Sequence, residues 1–132
     1  ANNLNEKETV RRCGIDNVSD YQMILDIGSK TTQIISQYIN KSKLILWNGP
    51  LGAFEYPSFA ESSIKIANII KLCSVNSEII SIAGGGDTNS VIKIAKAKDG
   101  FSYISNAGGA FLEWLEGNGS PGFNAIEENN IN

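Results

Sequence analysis

The groupings in this chain that could do chemistry are four turns that contain glycine: Asp26-Ile27-Gly28, Asn48-Gly49-Pro50-Leu51-Gly52, Gly84-Gly85-Gly86-Asp87-Thr88 and Asn106-Ala107-Gly108-Gly109. Without a Cβ, glycine lets backbone N–H groups approach an anion, and a helix that starts there adds a favourable dipole. One glycine normally suffices to turn a chain, and each costs conformational entropy. Three in succession at Gly84 to Gly86 therefore exceed what turning requires. Asp87 and Thr88 supply a hard carboxylate oxygen and a hydroxyl, the pair a Mg-nucleotide uses, although Asp87 as a plain helix cap fits the same pattern. Glu55 follows the second turn and is placed either to accept hydrogen bonds from sugar hydroxyls or to stand as a solvated carboxylate. Gly28-Ser29-Lys30 lacks the order and spacing of a Walker A loop. Trp47 and Trp114 read as core aromatics.

Composition narrows the chemistry further. The chain has 132 residues and no histidine, which removes Ser-His-Asp and Cys-His nucleophile systems and His-ligated metals. Carboxylates, hydroxyls, lysines and backbone N–H groups remain. A net charge of -3 without a basic run argues against nucleic acid as a partner. No apolar run approaches the roughly 18 residues a membrane span needs. Cys13 and Cys73 are far apart with no CxxC spacing and read as two reduced thiols of a cytoplasmic protein.

The elements that must position the turns follow from periodicity. After a polar start with at most an edge strand near Thr9 to Arg12, a unit repeats four times: a short apolar run, a glycine turn and a segment of helical period. The runs Met23 to Ile27, Leu44 to Trp47, Ile79 to Ala83 and Phe101 to Ser105 predict four strands. Thr31 to Asn40 predicts a helix with Ile34, Ile35, Tyr38 and Ile39 on one face. Ser58 and Glu61 form a capping-box pattern ahead of a stripe comprising Phe59, Ser63, Ile66, Ala67, Ile70 and Cys73. Asp87 or Thr88 can cap a third helix carrying Val91, Ile92 and Ala95. Asn106 can cap a fourth, with Ala110, Phe111, Trp114 and Leu115 facing inward until Gly117 ends it. Strand alternating with helix requires parallel pairing, so the predicted fold class is α/β: a parallel, Rossmann-like sheet of at least four strands flanked by helices. In such sheets ligands bind beyond the carboxyl ends of the strands, where all four turns fall. Residues 118–132, which contain Pro121-Gly122, read as a C-terminal tail.

Three motifs in register carry a resemblance. Trp47-Asn48-Gly49-Pro50-Leu51-Gly52-Ala53-Phe54-Glu55, then Gly84-Gly85-Gly86-Asp87-Thr88, then Gly108-Gly109-Ala110-Phe111-Leu112-Glu113 closely resemble the C-terminal domain of the phosphoglycerate kinase family. The resemblance runs along nearly the whole chain and corresponds to about the last third of that family's length. It implies that residues 1–117 belong to a nucleotide-binding domain. By resemblance, Asn48, Gly49, Glu55, Gly84, Gly85, Gly86, Asp87, Thr88 and Gly109 bind the nucleotide, Glu55 through ribose hydroxyls. Asp87 holds Mg, and the backbone amides of Gly85 and Gly108 stabilise the transferring phosphoryl group. Ile24 and Ala107 stand where the family usually has glycine, and Ser29 where it has proline.

The implied activity is reversible phosphoryl transfer between 1,3-bisphosphoglycerate and ADP in glycolysis, with ATP or ADP and Mg as cofactors and a monomeric full-length protein. The basic 3-phosphoglycerate site of the N-terminal domain is absent from these residues, so the isolated chain is expected to be inactive. The alternative is a non-catalytic remnant that binds nucleotide weakly or acts as an interaction module.

Overall fold

The computed structural model describes residues 1–4, 10–76 and 79–117. Within them, three parallel strands, β1 (Leu44–Asn48), β2 (Ile80–Gly84) and β3 (Tyr103–Ser105), lie in the order β1-β2-β3. Four helices accompany them: α1 (Ser29–Lys41), α2 (Glu61–Asn76), α3 (Gly86–Ile94) and α4 (Gly109–Leu115). Leu44 pairs with Ile80 and Asn48 with Gly84, while Ile82 pairs with Tyr103 and Gly84 with Ser105. This register brings Asn48, Gly84 and Ser105 side by side at the carboxyl ends of their strands. The parallel α/β layering agrees with the sequence reading.

The fourth strand does not form among the described residues. Met23 to Ile27 is irregular: Met23 exchanges backbone hydrogen bonds with Ala1, and the Leu25 carbonyl accepts from the Ala53 N–H at 2.9 Å. A strand exists only where a neighbour takes its N–H and C=O groups, and these residues find partners in loops. Residues 10–12 are likewise irregular, and Thr9 lies outside the described residues.

Burial follows the strand alternation on one side of the sheet. Trp47 and Ala83 enter the core, joined by Ile39 of α1, Ile66, Ala67 and Ile70 of α2, and Val91 and Ile92 of α3. The Trp47 and Phe101 rings lie with centroids 6.2 Å apart. Ser81 is also buried, and its hydroxyl donates to the Gly100 carbonyl at 2.9 Å, which removes the penalty for burying it. The opposite face of the sheet carries Leu44, Leu46, Ile80 and Tyr103, all exposed.

Five helix details differ from expectation. On α1 the buried positions are Thr32 and Ile39, with Ile35 packed against the core, whereas Ile34 and Tyr38 are exposed. The α1 stripe is therefore rotated by part of a turn relative to the predicted face. Ser58 lies in a 3-10 turn, Pro57–Phe59, and α2 begins only at Glu61, so the capping box is not formed. Gly85, rather than Asp87 or Thr88, is the N-cap of α3, and these two side chains belong to the first turn. Asn106 precedes α4 by too much to cap it, and its carboxamide instead bonds Asn89. Ala110 and Leu115 of α4 are exposed; the Phe111 and Trp114 side chains, like the 118–132 tail, lie outside the described residues.

Candidate functional site

The β2–α3 turn starts with a backbone that only glycine adopts readily. Gly85 has φ 94° and ψ 148°, a region closed to residues with a Cβ unless strain is accepted. Its carbonyl accepts the Asn89 N–H at 3.0 Å, the first intrahelical bond of α3. The N–H groups before Asn89, those of Gly86, Asp87 and Thr88, therefore have no intrahelical acceptor and point out of the helix start. The Gly85 N–H is committed elsewhere, to the Ser105 carbonyl at 3.1 Å.

The three turns converge at this point. A Cβ built on Gly108 would meet the Gly85 Cα at 3.1 Å and the Asn48 side-chain oxygen at 3.3 Å. Reciprocally, a Cβ on Gly85 would lie 3.4 Å from the same Asn48 oxygen. Two glycine backbones and one carboxamide thus share a seam in which an added Cβ would be crowded at Gly108 and at contact distance at Gly85.

Asp87 is exposed beside the free N–H groups of α3, and Gly86 and Gly109 are exposed as well. Gly84 is buried at the end of β2. Thr88 is fully buried, and its hydroxyl accepts the Gly49 N–H at 2.7 Å. Glu55 is exposed in the loop after β1, and Ile24 is 71% exposed, free of the core. Among the described residues, no three His, Cys, Asp or Glu side chains cluster to cage a metal. A single carboxylate is compatible with Mg all the same, because Mg commonly takes one or two carboxylates and completes its shell with water and substrate phosphates, and it is those phosphates that the neighbouring N–H groups suit. A groove of about 600 Å³ lined by Pro57 and by Ile64, Lys65 and Leu72 of α2 shares none of these residues.

Asp26 ties the segment before α1 to the start of α2. Its carboxylate accepts from the Ser62 N–H at 3.2 Å and from the Ser62 hydroxyl, thereby capping α2 from 36 residues away in sequence, and it also accepts the Ile27 N–H at 2.8 Å. No local pattern announces this pairing, since the capping signal expected for α2 lay at Ser58. Ser62 is buried, so Asp26→Ala leaves its N–H without this acceptor. It is expected to lower stability by about 1–3 kcal/mol, read as a lower midpoint in urea unfolding.

Parallel strands, helices layered on them and glycine turns gathered beyond the strand ends define the class: a layered α/β protein. The phosphoglycerate kinase family model matches residues 1–118. The chain is 44% identical over 116 residues to a phosphoglycerate kinase from Maricaulis maris, across 88% of this chain and 29% of that protein. It is 42% identical over 123 residues to one from Chelativorans sp., across 93% and 30% respectively. The solved phosphoglycerate kinase of Coxiella burnetii superposes with a TM-score of 0.81 at 36% identity, covering 89% of this chain and 29% of that one. The chain belongs to the phosphoglycerate kinase family, and it spans about 29% of the length of the relatives it matches. No described helix is long and apolar enough to cross a membrane.

Proposed function

We propose that this chain supplies the nucleotide-binding edge of a phosphoglycerate kinase, the part that receives the phosphates of MgADP or MgATP. The observation that carries this reading is the convergence of Asn48, Gly85 and Gly108 in one seam, with Asp87 and the free N–H groups of α3 beside it. These N–H groups suit phosphate oxygens through both hydrogen bonding and the helix dipole. Asp87 is the residue that would hold Mg, which when bound neutralises charge on the phosphates. Glu55, exposed after β1, is assigned to the ribose hydroxyls.

Gly85 and Gly108 contribute mainly shape. With no side chain on either, the β2–α3 and β3–α4 turns approach closely enough for their backbones to face one anion. Such preorganised dipoles stabilise charge that develops during phosphoryl transfer without reorganising at that moment. In this reading 3-phosphoglycerate is held by residues outside this sequence, and the phosphoryl group passes between it and the nucleotide across the seam.

The test is calorimetric titration of the full chain with ADP in the presence and absence of Mg. Mg-dependent binding is expected. Asp87→Asn should weaken the Mg-dependent component by roughly 2 kcal/mol, about thirtyfold in Kd, and leave Mg-free binding nearly unchanged. Equal affinities in the variant and the unsubstituted chain would assign Asp87 to the solvated surface.

A further inference from the structure

The peptide of Gly49 is gripped at both ends. Its N–H donates to the Thr88 hydroxyl at 2.7 Å, and its carbonyl accepts the Trp47 indole N–H at 2.7 Å. Both partners are fixed by burial: Trp47 is 7% exposed and lies against Phe101, while Thr88 is fully buried in the first turn of α3. Gly49 itself has φ 97°, a conformation that a free loop would hold only part of the time. The residue just before it is Asn48, whose side-chain oxygen lies in the seam between Gly85 and Gly108.

We propose that Trp47 and Thr88 are positioning residues that clamp the Gly49 peptide and so aim the Asn48 carboxamide into the seam where the phosphates arrive. The proposal rests on the nucleotide reading above and gives Thr88 a task other than direct contact with the ligand. The chemistry is specific to each partner. The indole supplies a donor and no acceptor, which suits a carbonyl, whereas a hydroxyl can accept from an N–H and still donate its own proton. The Thr88 bond joins the loop after β1 to the start of α3, so the carboxamide and the free N–H groups of α3 are held in one frame. Loosening the clamp lets Asn48 sample other directions, and part of the binding energy is then used to order the loop.

The experiment uses the full chain, labelled with nitrogen-15, and variants Thr88→Val, Thr88→Ser and Trp47→Phe. Valine keeps the shape of threonine without the hydroxyl, serine keeps the hydroxyl, and phenylalanine keeps a ring against Phe101 without the N–H. Amide hydrogen exchange at Gly49 reads the clamp without any ligand, and titration with MgADP reads its consequence. The N–H groups of Gly85 and Ile80, bonded to the Ser105 and Lys43 carbonyls, report whether the fold is intact.

Thr88→Val is expected to accelerate exchange at Gly49 about tenfold, as loss of one hydrogen bond does, and to weaken MgADP binding by a similar factor. Protection at Gly85 and Ile80 should persist. Thr88→Ser should retain both properties, and Trp47→Phe should weaken MgADP binding in the same direction as Thr88→Val. The clamp is overturned if Thr88→Val matches the unsubstituted chain at Gly49 and in affinity, or if Thr88→Ser is as impaired as Thr88→Val. It is also overturned if Thr88→Val and Trp47→Phe both strip protection from Gly85 and Ile80, because the pair would then be merely structural. An unsubstituted chain that does not bind MgADP overturns the nucleotide reading and the clamp's part in it. Binding by the unsubstituted chain that both variants share undiminished overturns the clamp alone.

Discussion

Gly108→Val, placed in a complete phosphoglycerate kinase that carries these residues, is expected to slow phosphoryl transfer by about 10²–10³-fold, the usual effect of disabling a preorganised donor array. MgADP affinity should fall much less. The effect is steric before it is electronic. Even a methyl group at this position would come within 3.1 Å of the Gly85 Cα and 3.5 Å of the Gly85 nitrogen, and valine adds two more carbons. The β3–α4 turn must then move off the β2–α3 turn, which pulls apart backbone groups that face the same anion. On the nucleotide reading proposed above, ground-state binding would retain Asp87 and the N–H groups of α3, whereas the transition state would need both turns at once, so the loss is expected chiefly in kcat. Steady-state kinetics with the nucleotide varied make the distinction, and an unchanged kcat would show that the seam is architectural.

Gly100→Ala is expected to be strongly destabilising, by about 3 kcal/mol or more, at the upper end of overpacking costs. Gly100 is buried in the 3-10 turn Lys98–Gly100, which lies against α2. A Cβ there would sit 2.3 Å from the Lys71 Cα and 2.5 Å from its Cβ. The obstacle at Lys71 is helix backbone and cannot rotate away. The same turn presents the Gly100 carbonyl to the Ser81 hydroxyl, so displacing it also removes the acceptor of that buried hydroxyl's proton. Thermal unfolding followed by circular dichroism checks this, and a midpoint within a degree or two of the unsubstituted chain would contradict the close approach.

The α/β class, the α2 stripe and the glycine edge were legible because each is written in consecutive residues. Ser63, Ile66, Ala67 and Ile70 recur at helical spacing and are all buried. The runs at Leu44, Ile79 and Phe101 are each too short for a helix and stop at turns that contain glycine, and each contributes a strand. Gly84-Gly85-Gly86 announced a turn with unusual backbone needs, and Gly85 at φ 94° shows the need. Periodicity and local chain stiffness act over a few residues, so a linear string holds them.

The tertiary structure decided whatever depends on a partner distant in sequence. Met23 to Ile27 has the composition of a strand yet bonds to Ala1 and Ala53, because strand formation is settled by the neighbour and not by the run. On α1, Ile34 and Tyr38 are apolar enough to face inward, but Thr32 and Ile39 do so, since the direction of α2 fixes which stripe is covered. Asp26 caps a helix that starts 35 residues later, Thr88 turns inward to hold Gly49, and the Gly85 N–H goes to Ser105. A side chain's local propensity says what it can bond. Which bond it makes depends on the group that packing brings within about 3 Å, and that group is chosen only when the whole sheet and its helices close around it.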